Sequence, residues 1–206
     1  MIIIGVDGAD YNIAKNYFDV ELLEVDLDPK NTATIWTSYF SGMMPSEHKV
    51  FGWKSVIGSP AEVDFIWNHG DWTVFAAPVC MPPLCINCST SDYHLKTDEN
   101  SWITEINEFI NCYESHNTDH FAGVIRAIDT ASHSRPREEA LKWYEKVFEI
   151  VGEIKWDVLI SDHGFKNFNL RKGNEDHSEH GIIKGIDVNK ASEFVKKIKT
   201  MMKTME

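Results

Sequence analysis

Short apolar runs alternating with amphipathic stretches set the pattern of this chain. Ile2-Ile3-Ile4-Gly5-Val6-Asp7-Gly8 shows no polar alternation, so it reads as a strand buried on both faces and central in a sheet. Residues 72–79, 121–128 and 158–161 read the same way. Residues 20–27 alternate instead, as a strand nearer an edge does. The polar loop at Asn31 runs into a short helix that Gly42 and Pro45 stop. Helical spacing marks Trp102, Ile103, Ile106, Phe109, Ile110 and Tyr113. A further helix is expected over 136–152, with proline in its first turn, Glu138 and Glu139 at its positive end, and Leu141, Tyr144, Phe148 and Val151 in one stripe. Residues 182–186 predict a last short strand and 189–202 a closing helix, with Met201, Met202 and Met205 at a fraying terminus. Residues 46–70 predict loop with short elements, 80–91 a loop, and 166–179 a polar stretch. Strands alternating with helices predict an α/β fold, a layered sandwich with a mainly parallel sheet.

Composition narrows the class. With 206 residues, 43% hydrophobic and 25% charged, the expectation is one globular domain over 1–206. No apolar run is long enough for a membrane span, and the N-terminal run lacks the basic flank of a signal peptide, so a cytoplasmic protein without a membrane partner is expected. Twenty basic against 32 acidic residues give a net charge of −12, which disfavours binding to a nucleic-acid polymer. A small phosphorylated substrate meets the same repulsion, so bound cations would be needed to hold it. The four cysteines, Cys80, Cys85, Cys88 and Cys112, include one C-x-x-C pair but no second pair. Reduced, partly buried thiols are expected rather than a zinc site. His116 and His120 flank a loop and are expected to be solvated.

Candidate chemistry gathers at strand ends. The apolar run 158–160 leads directly into Ser161-Asp162-His163-Gly164, which would deliver two metal-binding side chains at the carboxyl end of a buried strand. Asp7 ends the first strand, where a buried carboxylate is costly unless paired or metal-bound; as a helix N-cap it would have a structural use instead. Asp129 ends the fourth. Parallel strands put Asp7, Asp129 and Asp162 on one side of the sheet, where their mutual repulsion calls for raised pKa values or for cations. Asp129 and His133 stand four apart, the spacing of one helical face. His163 and a histidine from the 177–180 loop complete two sets of O/N ligands, and two divalent ions in one pocket suit phosphoryl transfer. Thr32 and Thr34 are either helix caps or a nucleophile at a helix N-terminus, where free N–H groups favour a phosphoryl oxygen. A hydroxyl needs a metal or a base to become that nucleophile.

The set Asp7-Gly8, Thr32 with Trp36-Thr37-Ser38 and Gly42, Pro45-Ser46-Glu47-His48, Asp129-Thr130-Ala131-Ser132-His133, Ser161-Asp162-His163-Gly164 and His177 resembles the alkaline phosphatase superfamily. Within it the likeness is to type I phosphodiesterase/nucleotide pyrophosphatase proteins, and it runs through nearly the whole chain. The resemblance implies an alkaline-phosphatase-like three-layer α/β/α sandwich with reduced or absent cap insertions. It implies a two-metal phosphoester hydrolase that forms a phosphothreonine on Thr32. Asp7, Thr32, Asp162 and His163 would hold one ion; Asp129, His133 and His177 would hold the other, with His180 the alternative last ligand. Zinc is the implied metal and manganese its alternative. Phosphomutase, sulfate or phosphonate ester chemistry on the same site, or an inactive metal-binding module, are the other readings. Ala33-Thr34-Ile35 stands where the family has a proline close after its nucleophile, and Phe51-Gly52-Trp53 where the pyrophosphatase branch has an asparagine.

Overall fold

Among the described residues, seven strands form one sheet in a computed structural model that covers residues 1–88, 98–166 and 177–205. In chain order they are β1 (Ile2–Val6), β2 (Glu21–Glu24), β3 (Trp72–Ala77), β4 (Leu84–Ile86), β5 (His120–Ile125), β6 (Val158–Ile160) and β9 (His180–Lys184); a separate hairpin pairs β7 (Gly164–Phe165) with β8 (His177–Ser178). The spatial order is β2-β9-β6-β1-β5-β3-β4. The inner strands β6, β1, β5 and β3 are parallel, β9 runs against both β6 and β2, and β4 runs against β3. The sheet is therefore mainly parallel, and β1, the most apolar run, lies in its middle.

The helices are α1 (Tyr11–Ala14), α2 (Thr32–Ser41), α3 (Pro45–His48), α4 (Glu99–Ser115), α5 (Ala127–Ser134), α6 (Arg137–Glu153) and α7 (Ala191–Met205). Successive strand side chains point to opposite faces, and they enter two separate cores. Ile3, Val74, Val124 and Ile160 pack with Trp36 and Tyr39 of α2 and Phe194 of α7. Ile4, Phe75, Ile125 and Leu159 pack with Phe109 of α4, Ile128 of α5 and Phe148 of α6. Helices thus cover both faces of the inner strands, which is why those strands carry no polar alternation. No helix among the described residues is long and apolar enough to cross a membrane.

Several expectations need correction. The loop expected over 80–91 contains β4, an edge strand too short and too half-buried to leave a pattern; residues 89–91 of it lie outside the described residues, as do 167–176 of the expected polar stretch. The fourth strand ends at Ile125, so Asp129 sits in the first turn of α5 rather than at a strand terminus. The last strand begins at His180 and is antiparallel. Asp10, not Asp7, caps α1, its carboxylate accepting from the Asn12 N–H. Cys88 and Cys112 form a disulfide, with α4 bringing their Cα atoms to 5.8 Å, while Cys80 and Cys85 are free. His116 and His120 are half-buried: His116 bonds the Tyr113 carbonyl and His120 the terminal amine. Helix α7 continues through Met205, with Met202 buried.

Candidate metal centre

Parallel pairing of β6, β1 and β5 puts the segments that follow them side by side at one edge of the sheet. Asp7 follows β1, and its N–H donates to the Ile125 carbonyl at the end of β5. Gly8 then turns with φ +73°, a left-handed conformation suited to glycine. A Cβ there would stand 2.7 Å from the Phe165 ring and 3.1 Å from the Asp129 Cα. Glycine is what lets α5 come close to Asp7. The Gly8 N–H donates to Asp162 Oδ1 at 3.3 Å, and its carbonyl accepts from the Tyr144 hydroxyl at 2.8 Å.

Two groups of ligand atoms result. Asp7, Asp162 and His163 form one and are all buried; Asp129, His133 and His177 form the other, and within each group the ligand atoms lie within 4.8 Å of one another. His163 Nε2 is 3.3 Å from Asp162 Oδ2, 3.5 Å from Asp7 Oδ1 and 3.7 Å from Asp129 Oδ1. Asp129 Oδ1 is in turn 3.3 Å from His133 Nε2 and 3.8 Å from His177 Nε2, so this one oxygen adjoins both groups. The hairpin of β7 and β8 delivers His177, whose ring stacks on His163 with centroids 3.4 Å apart. Phe165 sets its ring edge-on against His133, His163 and His177.

Proton placement decides what such a cluster can hold. His163 Nδ1 faces the Gly164 carbonyl at 3.1 Å and donates to it, so in the neutral ring Nε2 is a lone pair turned toward the carboxylates. Asp7 Oδ1, Asp129 Oδ1, Asp162 Oδ2 and His163 Nε2 are all buried and none makes a well-formed hydrogen bond among the described residues. With the His163 ring neutral, these four acceptors converge unpaired, an arrangement that is costly unless a cation or extra protons enter. Burial, then the charges of Asp162 and Asp129, holds Asp7 well above the usual carboxylate range. Burial also raises Asp162, against the pull of His163. At Asp129 burial pushes up too, but the adjoining imidazoles, His133 at 3.3 Å first and then His163 and His177, outweigh it and the net direction is down. Burial, then the neighbouring His163, pushes the His177 imidazole down to about 3, so it is a neutral donor at ordinary pH. Oxygen and imidazole donors of this kind fit a borderline-hard divalent ion.

Six of the seven residues anticipated as ligands are therefore together. His177 rather than His180 joins them; His180 is exposed at the start of β9. Thr32 opens α2 and is half-buried, with Asn31 as the N-cap. Two residues earlier, the Lys30 carbonyl lies against the His177 imidazole and the Lys30 ammonium bonds Glu179 at 2.7 Å, which ties the segment before Thr32 to β8. Thr34 is not a candidate nucleophile, since its N–H and hydroxyl both bond the Asn31 carboxamide at 3.0 Å. Phe165, Tyr144 and Ser161 shape the site without a signal in the sequence beyond their places: Phe165 directly after Asp-His-Gly, Tyr144 in a helical stripe, Ser161 at a strand end. No protein-family model matches the chain, and no curated protein matches it.

Proposed function

We propose that this chain is a metal-dependent hydrolase of small phosphoric esters, of the alkaline phosphatase superfamily type, working through Thr32. The observation that carries the reading is the convergence of two ligand groups whose buried oxygens and imidazole nitrogen make no well-formed hydrogen bond among the described residues. Asp7, Asp162 and His163, joined by Thr32 as the family likeness implies, would hold one divalent ion, and Asp129, His133 and His177 a second; zinc suits this donor set and manganese is the alternative. When bound, the ions supply Lewis acidity and offset the negative charge of the phosphoryl group.

The residues of the chain then divide the work. The Thr32 oxygen attacks phosphorus and forms the new P–O bond as the ester P–O bond breaks; the alcohol leaves with a proton, and water later cleaves the phosphothreonine. With the Thr34 N–H occupied by Asn31, the N–H groups of Thr32 and Ala33 are left at the α2 N-terminus for a phosphoryl oxygen. His177, neutral over the working pH range, contributes a lone pair rather than a charge.

Hydrolysis of p-nitrophenyl phosphate and of its bis-ester, each with added Zn²⁺ or Mn²⁺, tests the proposal. Thr32→Ala should lower turnover by at least about a thousandfold, as loss of a nucleophile does elsewhere. Equal rates for wild type and variant would remove Thr32 from the reaction. Tight metal with no turnover on either ester would replace the hydrolase by a metal-binding module.

A further inference from the structure

Beside the ligand groups, Ser161 follows β6 and is fully buried, and the hydrogen bonds of its hydroxyl among the described residues go to main-chain atoms. That hydroxyl donates to the His163 carbonyl and accepts the Ala9 N–H at 3.0 Å. The serine backbone is fixed from behind: its N–H donates to the Ile182 carbonyl at 3.0 Å, and its carbonyl lies so close to Gly181 that a Cβ there would come within 2.6 Å. With the backbone held, the hydroxyl has one place to go. It joins the turn that follows Asp7 to the turn that contains Asp162 and His163.

We propose that Ser161 is a positioning residue for the metal centre, its hydroxyl locking the two turns in the register that aims Asp7, Asp162 and His163 at one point. The role rests on the metal-binding reading above. A short hydroxyl is suited to it because one atom both donates and accepts. The neighbouring Gly8 N–H to Asp162 bond cannot replace it, since that bond orients one carboxylate and leaves the His163 main chain free. Without the hydroxyl, the His163 carbonyl loses its donor in a dry region and the Ala9 N–H keeps only the Val6 carbonyl at 3.3 Å, so among the described residues the two turns stay joined by the Gly8 N–H to Asp162 bond alone. Groups that orient metal ligands in this way typically change metal affinity by about 10–100-fold when removed.

The test is Mn²⁺ titration of the full chain by calorimetry, alongside thermal melting of the metal-free protein, for wild type, Ser161→Ala, Ser161→Thr and Ser161→Cys. Mn²⁺ is preferred to Zn²⁺ because it favours oxygen and imidazole over thiolate, which keeps the free Cys80 and Cys85 out of the titration. Ser161→Ala should fold cooperatively and bind Mn²⁺ about 10–100-fold more weakly, while Ser161→Thr, which keeps the hydroxyl, recovers most of the loss. A serine with only a structural role would lower the melting temperature and leave the affinity of the folded protein unchanged; that result overturns the proposal. If the alanine chain does not fold, the near-isosteric Ser161→Cys, with its weak S–H donor, decides: wild-type affinity there overturns the role, and weakened affinity supports it. Absence of Mn²⁺ binding by the wild type itself overturns the metal centre, and the positioning role with it.

Discussion

His48 couples its protonation to packing around α2. The Val50 N–H donates to its Nδ1 at 3.0 Å, so the proton must sit on Nε2, which donates to the Ser38 hydroxyl at 2.9 Å. A second proton would break the first of these bonds in a buried place, and burial, opposed by Glu47, lowers the pKa from the ordinary 6.5 to about 4. The sign follows from proton counts: between those two values the unfolded chain binds more protons, so the stabilising contribution is complete above 6.5 and is lost as pH falls towards 4. The shift corresponds to about 3 kcal/mol. Urea unfolding of wild type and His48→Gln at pH 7 and pH 4 should show the wild-type advantage shrinking by about that amount; an advantage independent of pH would mean that His48 titrates as it does in water. None of this was legible in the sequence, where Glu47-His48 mattered only as part of a likeness. Ser161, Tyr144 and Phe165 were hidden for the same reason, since a hydroxyl that bonds distant main-chain atoms leaves no mark on composition or spacing. Asp162, His163 and the Asp129–His133 pair were legible because strand-end position and four-residue spacing are local facts.

Elements were readable in proportion to how much of their own pattern the fold uses. Strands β1, β3, β5 and β6 are buried on both faces, and their apolar runs say so. Strand β4 and the direction of β9 depend on pairing with distant residues, and the Cys88–Cys112 bond depends on where α4 packs; none of these is a local property. The start of α5 was hidden because it follows Arg126 without a loop or a side-chain cap. Helix α2 shows the opposite case, since its start is chemically explicit. The Asn31 carboxamide oxygen caps it through Thr34, and its amide nitrogen donates to the Phe51 carbonyl at 3.2 Å, so one residue both starts the helix and anchors the neighbouring loop. Asn31→Ala should destabilise the fold by about 1–2 kcal/mol and reduce hydrolysis through misplacement of Thr32. Asn31→Asp keeps the cap but loses the donor to Phe51, so it should retain most of the stability. Urea midpoints would separate the two, and equal loss in both variants would show that the Phe51 tie, not the cap, holds this end of α2.

For the whole molecule, the acidic balance and the sheet topology have a joint consequence. A chain of net charge −12 would be expected to keep its carboxylates apart, yet β6, β1 and β5 are adjacent and parallel, so acidic residues placed just after them must meet at one edge. Folding the metal-free chain therefore works against the repulsion of Asp7, Asp129 and Asp162 in a buried place. A divalent cation that binds only the folded chain reverses this, adding about 2.7 kcal/mol per site at a hundredfold excess over its Kd. In a domain of this size that amounts to a rise of about 5–10 °C in Tm. Chelation should lower the melting temperature, Zn²⁺ or Mn²⁺ should restore it saturably, and NaCl at matched ionic strength should not, because screening acts weakly on buried charges. Asp7→Asn removes one of the repelling charges while keeping the shape, so its metal-free form should melt above metal-free wild type and gain less from added cation. If chelator, divalent ion and salt all leave one melting temperature, the carboxylates at this edge are neutralised by their own protons, and the two-ion site on which the proposed hydrolase depends would not form.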